Sequence, residues 1–393
     1  MARGAGMLLC GGNGMGFYNL DYGLRVCGFP PPDWIELGEL TLIAHSGSVF
    51  SALCHNGRRF RYNLAVSAGQ ELVTNAADYL DFALEQPTTR VVGLFLEAVR
   101  DPAGFVAALA KAAERDIPVV CLKVGRTAES AALAVSHSGA LAGDHAAFQA
   151  VCERHGVIQV DDLDELANAL LLMGGPRRVA KGGLASMHDS GGERELTVDL
   201  AVKHGVPFAR IDQDTTAKLA ARLDFGLDPI NPLDAWGTGH DYENIMADCL
   251  AALMADPDTA VGAFFVETRS GHYLHEGYAR VVQRVAAKTD KPVLIGNNLA
   301  AVGDDDLALR VTRAGIPLLI GLEPTMEAIR GAMDYRDFRA LPAMQPPAAP
   351  AGARANWQAR LATGATLDEA ESLRLFADYG LPVLLHRIVE SAD

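Results

Sequence analysis

The six cysteines, Cys10, Cys27, Cys54, Cys121, Cys152 and Cys249, include no Cys-x-x-Cys pair. Scattered single thiols argue against a disulfide framework or structural zinc, and for free thiols in a reducing cytoplasm. Long apolar runs are also missing: Val91 to Leu96 and Ala260 to Val266 are strand length, far short of a membrane span. No charged start followed by an apolar core is present, so no signal peptide is expected. Basic residues are in deficit, with 34 Lys and Arg against 49 Asp and Glu and a net charge of −15. Such a surface repels nucleic acid and anionic lipid, and the short Arg58-Arg59-Phe60-Arg61 run reads as a solvated turn. An anion would therefore need a local pocket of backbone amides. No metal-ligand cluster is evident: His272/His275 and Asp304/Asp305/Asp306 read as solvated faces or caps, and no metal residue is assigned.

The 393 residues leave room for two or three domains, and 49% hydrophobic with 21% charged residues is an ordinary globular balance. Residues 1–35 read as an incomplete start. Their glycine turn, Gly11-Gly12-Asn13-Gly14-Met15-Gly16, lacks the spacing and βαβ setting of a dinucleotide fingerprint. From about residue 38 strands alternate with helices. Strands are expected at 40–44, 63–66, 91–96, 118–123 and 156–160, with helices at 49–55, 76–84, 103–113, from about 144, and 163–173. After Gly174-Gly175-Pro176 the scheme recurs, with strands at 184–187, 261–266 and 293–295. This alternation implies parallel sheets with helices on both faces.

The halves read as copies. Pro87 to Glu97 (PTTRVVGLFLE) parallels Pro257 to Glu267 (PDTAVGAFFVE). Asp116-Ile117-Pro118-Val119-Val120 parallels Asp290-Lys291-Pro292-Val293-Leu294, about thirty residues further on in each. A repeat of this length signals duplicated domains. Residues 341–355 are a Pro/Ala-rich linker. Beyond it a helix is expected from Thr366-Leu367-Asp368-Glu369 to Tyr379, then a strand from Pro382.

The copies differ at one loop. Only the first carries Ser136-His137-Ser138-Gly139-Ala140-Leu141-Ala142-Gly143; the second has Gly296-Asn297-Asn298-Leu299-Ala300 at the comparable place. An imidazole among small residues can be a nucleophile, a proton carrier, a metal ligand or an ordinary surface histidine. Ser46-Gly47-Ser48, Glu97 and the His137 loop all lie at strand carboxyl ends, where open α/β sheets bind ligands. Ser190-Gly191-Gly192 holds the same kind of position in the second half. If the halves pack face to face, two helix N-termini would aim at one phosphate beside His137, with Glu97 holding the other ring nitrogen. Taken singly, each Ser-Gly turn is a helix cap and Glu97 a strand-end carboxylate.

The combination KVGRTAESAALAVSHSGALAGDHAAF with GVIQVDDLDEL resembles the NDP-forming acyl-CoA synthetases of the succinyl-CoA synthetase superfamily. AHSGS at 44–48 and HDSGG at 188–192 resemble that family's two phosphate-site helix starts, and Asn231-Pro232-Leu233-Asp234 its Asn-Pro-x-Asp element. The resemblance implies an α/β chain of two tandem flavodoxin-like, doubly wound parallel-sheet domains, at 36–174 (with the phosphohistidine loop) and 177–340. Residues 1–35 would be a remnant of a CoA-binding Rossmann domain, with Asn13 at CoA, and 356–393 the start of an ATP-grasp domain.

By similarity an acyl-CoA is phosphorolysed to an acyl phosphate, the phosphoryl passes to His137, oriented by Glu97, and then to ADP. Ser46, Gly47, Ser48, Ser190, Gly191 and Gly192 would bind phosphate. The substrates implied are CoA, ATP or ADP with Mg2+, and a small carboxylic acid or its acyl-CoA. The resemblance also implies CoA-binding and ATP-grasp domains in cis or in trans, an oligomer and a cytoplasmic setting. His45 and His188 depart from the family pattern before the serines, and Gly12 stands where a proline is expected. Most of the CoA-binding and ATP-grasp domains are lacking, as in a fragment, a miscalled start and stop, or one subunit of several. Competing readings are a non-catalytic ligand-sensing regulatory module, which has no need of an intact His137 loop, and a scaffold subunit.

Overall fold

The computed structural model describes residues 2–30, 35–55, 60–130, 133, 145–342, 352–364 and 366–385. The loop from Ser136 to Gly143, and with it His137, lies outside the described residues, as do 343–351 of the linker. The described chain forms two compact units, Met1–Ala340 and Leu341–Asp393.

In the first unit, the first half runs β1 (Gly16–Asn19), β2 (Leu24–Cys27), β3 (Leu37–Ala44), α1 (Gly47–Cys54), β4 (Tyr62–Ser67), α2 (Ala76–Leu84), β5 (Val91–Leu96), α3 (Pro102–Glu114), β6 (Val119–Lys123), α4 (His145–Arg154), β7 (Ile158–Val160) and α5 (Leu163–Met173). The second runs β8 (Gly183–His188), α6 (Gly191–Lys203), α7 (Gln213–Arg222), β9 (Leu233–Asp234), α8 (Tyr242–Ala255), β10 (Thr259–Phe265), α9 (His275–Ala286), β11 (Val293–Asn297), α10 (Asp305–Arg313), β12 (Leu318–Ile320) and α11 (Leu322–Ala340). Several helices start where short polar side chains occupy free backbone N–H groups. Asn75 and Asp78 form a capping box on α2, Asp162 caps α5 and Asp304 caps α10.

Strand order makes the duplication explicit. The first sheet is β2-β1-β4-β3-β5-β6-β7 and the second β12-β11-β10-β8-β9. Without β1 and β2, both sheets have the order 2-1-3-4-5, all parallel, which is the flavodoxin-like arrangement. The β1–β2 hairpin is an addition to this plan: β1 pairs antiparallel with β4, Gly16 opposite Ser67.

The halves share a core. Leu166, Leu170 and Met173 of α5 pack in one apolar cluster with Met326, Ile329 and Met333 of α11 and with Leu184, Val261 and Phe265 of the second sheet. Asn168, fully buried on α5, donates to the Ile320 carbonyl at 3.0 Å and accepts from the Ile320 N–H at 3.3 Å. Gly93 of β5 is required by this packing, since a Cβ there would lie 2.8 Å from Leu170 Cδ1.

The second unit is described by two helices, α12 (Ala353–Leu361) and α13 (Glu369–Asp378). Asp368 and Glu371 form a capping box on α13, and Arg360 grips Glu371 with Nε–Oε1 at 2.9 Å and Nη2–Oε2 at 2.6 Å. The strand expected from Pro382 is not formed at 382–385.

Candidate functional site

Parallel register places three strand ends of the first half side by side. Ala44 of β3 is opposite Phe95 of β5, and Leu96 is opposite Lys123 of β6. His45, Ser46, Glu97 and Lys123, scattered in sequence, therefore emerge on one carboxyl edge. Ser46 leaves β3 in extended conformation and caps α1, its Oγ accepting from the Val49 N–H at 3.3 Å. The first turn of α1 carries no acidic residue of its own to offset the positive end of the helix. Gly47 is needed for a close approach: a Cβ would lie 2.6 Å from Met15 Cγ. Met15 is brought there by the 9–16 segment, whose Gly12 and Gly11 carbonyls accept from the Gln70 and Leu72 N–H groups.

His45 is buried, and its two ring nitrogens have different partners. Nδ1 accepts the Glu97 backbone N–H at 3.1 Å, and Nε2 lies 3.0 Å from Glu71 Oε1. Since Nδ1 is an acceptor, the neutral ring carries its proton on Nε2 and donates it to Glu71. Glu71 is 2% exposed, and its second oxygen lies 3.9 Å from Arg100 Nε. On the other side of Glu97, Lys123 Nζ donates to the Glu97 carbonyl at 2.8 Å and also to the Val124 carbonyl. Burial holds the Lys123 pKa below the ordinary lysine value. After β6 the chain continues through a turn in which Thr127 and Ser130 exchange hydrogen bonds, toward the His137 loop.

The second half repeats the plan with different chemistry. Ser190 caps α6, its Oγ accepting from the Glu193 N–H at 3.5 Å. A Cβ on Gly191 would approach Asp234 Oδ2 at 3.2 Å, whereas Gly192 faces open space. Asp189, Glu193 and Glu267 line a cavity of about 290 Å³ beside this start, together with Trp236, His272 and Tyr278. All three carboxyl groups have raised pKa values, in each case first because burial disfavours their charge. Asp189 accepts from the Tyr278 hydroxyl at 2.6 Å, and Glu267 Oε1 from the Leu299 N–H at 3.0 Å.

His45 and His188 are not counterparts: His45 immediately precedes the capping serine, while His188 stands two residues before it and ends β8. His188 is fully buried, stacked on Phe265 with ring centroids 5.3 Å apart, and Nε2 lies 3.1 Å from Ser186 Oγ. Its pKa falls to about 3, chiefly through burial and secondarily through Arg194. Asn231 joins β8 to its flanks: Oδ1 accepts from Ser186 N, and Nδ2 donates to the Leu184 and Ala209 carbonyls, all at 2.9 Å. Asn13 is exposed with φ 51°.

Residues 37–173 match the family described as "Succinyl-CoA ligase like flavodoxin domain". The first half of the chain is thus similar to the flavodoxin-like domain of succinyl-CoA ligases. A trans-feruloyl-CoA synthase from an unknown prokaryotic organism is 29% identical over 227 residues, which are 58% of this chain and 32% of that protein. An ADP-forming acetate–CoA ligase I of Archaeoglobus fulgidus is 30% identical over 204 residues, 51% of this chain and 29% of that one. The alpha subunit of ADP-forming acetate–CoA ligase II of Pyrococcus furiosus is 26% identical over 304 residues, 75% and 64% of the respective chains. The chain thus spans about a third of the first two relatives. A dinucleotide-forming acetyl-coenzyme A synthetase 1 of Ca. Korarchaeum cryptofilum, solved with phosphate and ADP, has a similar fold, with a TM-score of 0.74. It is 19% identical, and the match covers 86% of this chain and 73% of that one.

The structure brings Ser46, Gly47 and Glu97 to the carboxyl edge of one sheet and Ser190, Gly191 and Glu267 to that of the other. Three residues of the edges were not singled out by sequence pattern: Glu71, Lys123 and Asp189. Lys123 and Asp189 sit inside recognisable motifs, at a strand end and before a capping serine. Glu71 is a turn residue with no local signal, joined to His45 only by the fold.

Proposed function

We propose that this chain is the phosphohistidine core of an ADP-forming acid–CoA ligase. The observation that carries the reading is the first carboxyl edge. A helix start at Ser46-Gly47-Ser48, with no acidic residue in its own first turn, stands beside Glu97, on the strand ends from which the chain enters the Ser-His-Ser-Gly-Ala-Leu-Ala-Gly segment. Free N–H groups at a helix start suit phosphate, and a carboxylate is a suitable acceptor for one imidazole N–H while the other nitrogen attacks. The relatives catalyse, by their names, ADP-forming ligation of acids to CoA.

In this scheme inorganic phosphate displaces CoA from the acyl-CoA, giving an acyl phosphate and the thiol. His137 then takes the phosphoryl group, the P–O bond to the acyl group breaking as the P–N bond forms, and the carboxylate leaves. The phosphoryl group finally passes to ADP. Glu97 accepts the hydrogen bond of the ring N–H and stabilises the charged phosphoimidazole. Ser46, Gly47 and Ser48 hold the phosphoryl oxygens on amides, and positioning with charge neutralisation supplies most of the acceleration. Ser190, Gly191 and Gly192 form a second start, whose carboxylates Asp189 and Glu193 make it the weaker anion site. Asn13 is assigned to CoA.

The acid and its acyl-CoA are the small substrates, and the CoA-binding and ATP-grasp parts are supplied in cis or in trans within an oligomer in the cytoplasm. Among the described residues no helix is long and apolar enough to cross a membrane. Among them, too, no group of three or more His, Cys, Asp or Glu is placed to hold a metal. Mg2+ is assigned, with the nucleotide, to the ATP-grasp part.

Incubation with phosphorus-labelled acetyl phosphate tests the reading. Wild type is expected to take up an acid-labile, base-stable label, and His137→Ala to take up at most one hundredth as much. A wild type that stays unlabelled, with CoA-binding and ATP-grasp partners present, overturns it.

A further inference from the structure

We propose that His45 is a positioning residue that acts through the Glu97 peptide, in one clamp with Glu71 and Lys123. The inference rests on the phosphohistidine reading for its catalytic consequence, and on the structure alone for the clamp itself. Both polar groups next to the Glu97 side chain are held by side chains from other strand ends. The N–H is taken by His45 Nδ1 at 3.1 Å and the carbonyl by Lys123 Nζ at 2.8 Å. His45 and Lys123 are each only 8% exposed, so water competes little for these bonds. Glu71 completes the device, since accepting the Nε2 proton at 3.0 Å leaves Nδ1 as the acceptor that the Glu97 N–H requires. Anchoring the peptide on each side of the Glu97 Cα fixes the direction in which its side chain leaves the backbone. A carboxylate meant to hold one tautomer of an imidazole from another segment needs that fixed origin.

The second half provides an internal contrast. There Asp189 stands in the place of His45, bound to Tyr278, and Asn297 in the place of Lys123. Asn297 accepts from the Thr268 N–H at 3.2 Å and hydroxyl at 2.9 Å, and donates to the Val302 carbonyl at 2.7 Å. The same five-stranded plan is thus built without this clamp, and the clamp occurs in the copy that carries the His137 loop. It is not a requirement of the fold.

The variants His45→Asn, His45→Gln and His45→Ala separate positioning from packing. Asn places an amide oxygen near the position of Nδ1 and can still accept the Glu97 N–H. Gln places its polar atoms near Nε2, and Ala has neither. The rate of label uptake from acetyl phosphate is expected to fall about tenfold in the Ala and Gln variants and to recover most of that loss in Asn, with half-saturation unchanged. Hydrogen exchange of the Glu97 amide should accelerate about tenfold in Ala and Gln and stay slow in Asn. In wild type, nitrogen NMR should show His45 protonated at Nε2 and bare at Nδ1.

A proton on Nδ1 in the neutral ring, or an Asn variant as impaired as Gln, overturns the clamp. The wild-type tautomer and the Asn–Gln comparison decide it even if Ala does not fold. If wild type takes up no label, the phosphohistidine reading falls, and tautomer and exchange still decide whether the clamp exists.

Discussion

His188 gives the most direct electrostatic test. It is fully buried, its ring stacks on Phe265, and its pKa is lowered from 6.5 to about 3, mainly by burial. Between these values the unfolded chain binds a proton that the native chain does not, so stability rises with pH across the window and is lost as pH falls through it. One pH unit corresponds to about 1.4 kcal/mol, so acidification from pH 7 to about 4.5 should remove about 3 kcal/mol through this residue. Asp189, Glu193 and Glu267 act in the opposite sense. Their raised pKa values mean that the native state takes up protons first, so their stabilising effect grows as pH falls. Comparison with His188→Gln isolates the histidine, because glutamine is neutral throughout and reaches toward the Ser186 hydroxyl. Urea unfolding of both proteins at several pH values is the assay. The wild-type stability should fall relative to the variant by about 3 kcal/mol over this range. Parallel curves for the two proteins would refute the assignment of His188 as a neutral core residue.

Other expectations concern the backbone. Asn231→Ala removes three hydrogen bonds at 2.9 Å to Ser186 N and the Leu184 and Ala209 carbonyls, and should cost about 3 kcal/mol in urea unfolding; Asn231→Asp, which keeps the acceptor but turns a charged oxygen onto both carbonyls, should cost at least as much. Gly69 has φ +60°, and a Cβ there would lie 2.2 Å from the Gly12 carbonyl oxygen. Gly69→Ala should cost about 3 kcal/mol, measured as a lower unfolding midpoint. Gly23→Ala is the matched control, since Gly23 has φ +66° with nothing within 4 Å of a Cβ, and should cost only about 1 kcal/mol. Equal losses would show that the 9–16 segment does not bear on Gly69.

Local pattern carried most of the fold. The spans 76–84, 91–96 and 163–173 are a helix, a strand and a helix at those bounds, because apolar periodicity, Asn and Asp caps and flanking breakers act within a few residues. The serine starts at Ser46 and Ser190 are equally local, since a cap is set by the residue and the three that follow it. The repeat PTTRVVGLFLE and PDTAVGAFFVE pointed to duplication for the same reason: each copy carries its own pattern. Pro382, by contrast, suggested a strand that 382–385 do not form, because a strand needs a partner that no local signal specifies.

By itself, then, the sequence determined the order of elements, the duplication, the two helix starts and the likeness of residues 37–173 to the succinyl-CoA ligase flavodoxin domain. The tertiary structure alone decided the strand order 2-1-3-4-5 in both halves and the β1–β2 hairpin on β4. It also decided the core shared through α5 and α11, and the company His45 keeps. Glu71 is 26 residues from His45, and Glu97 is 26 from Lys123. Parallel pairing closes such distances by stacking strand ends, and burial then obliges every polar group at those ends to find a partner. Neither effect is local, so a histidine that reads as a tolerated departure in the chain becomes, in the fold, the acceptor for Glu97.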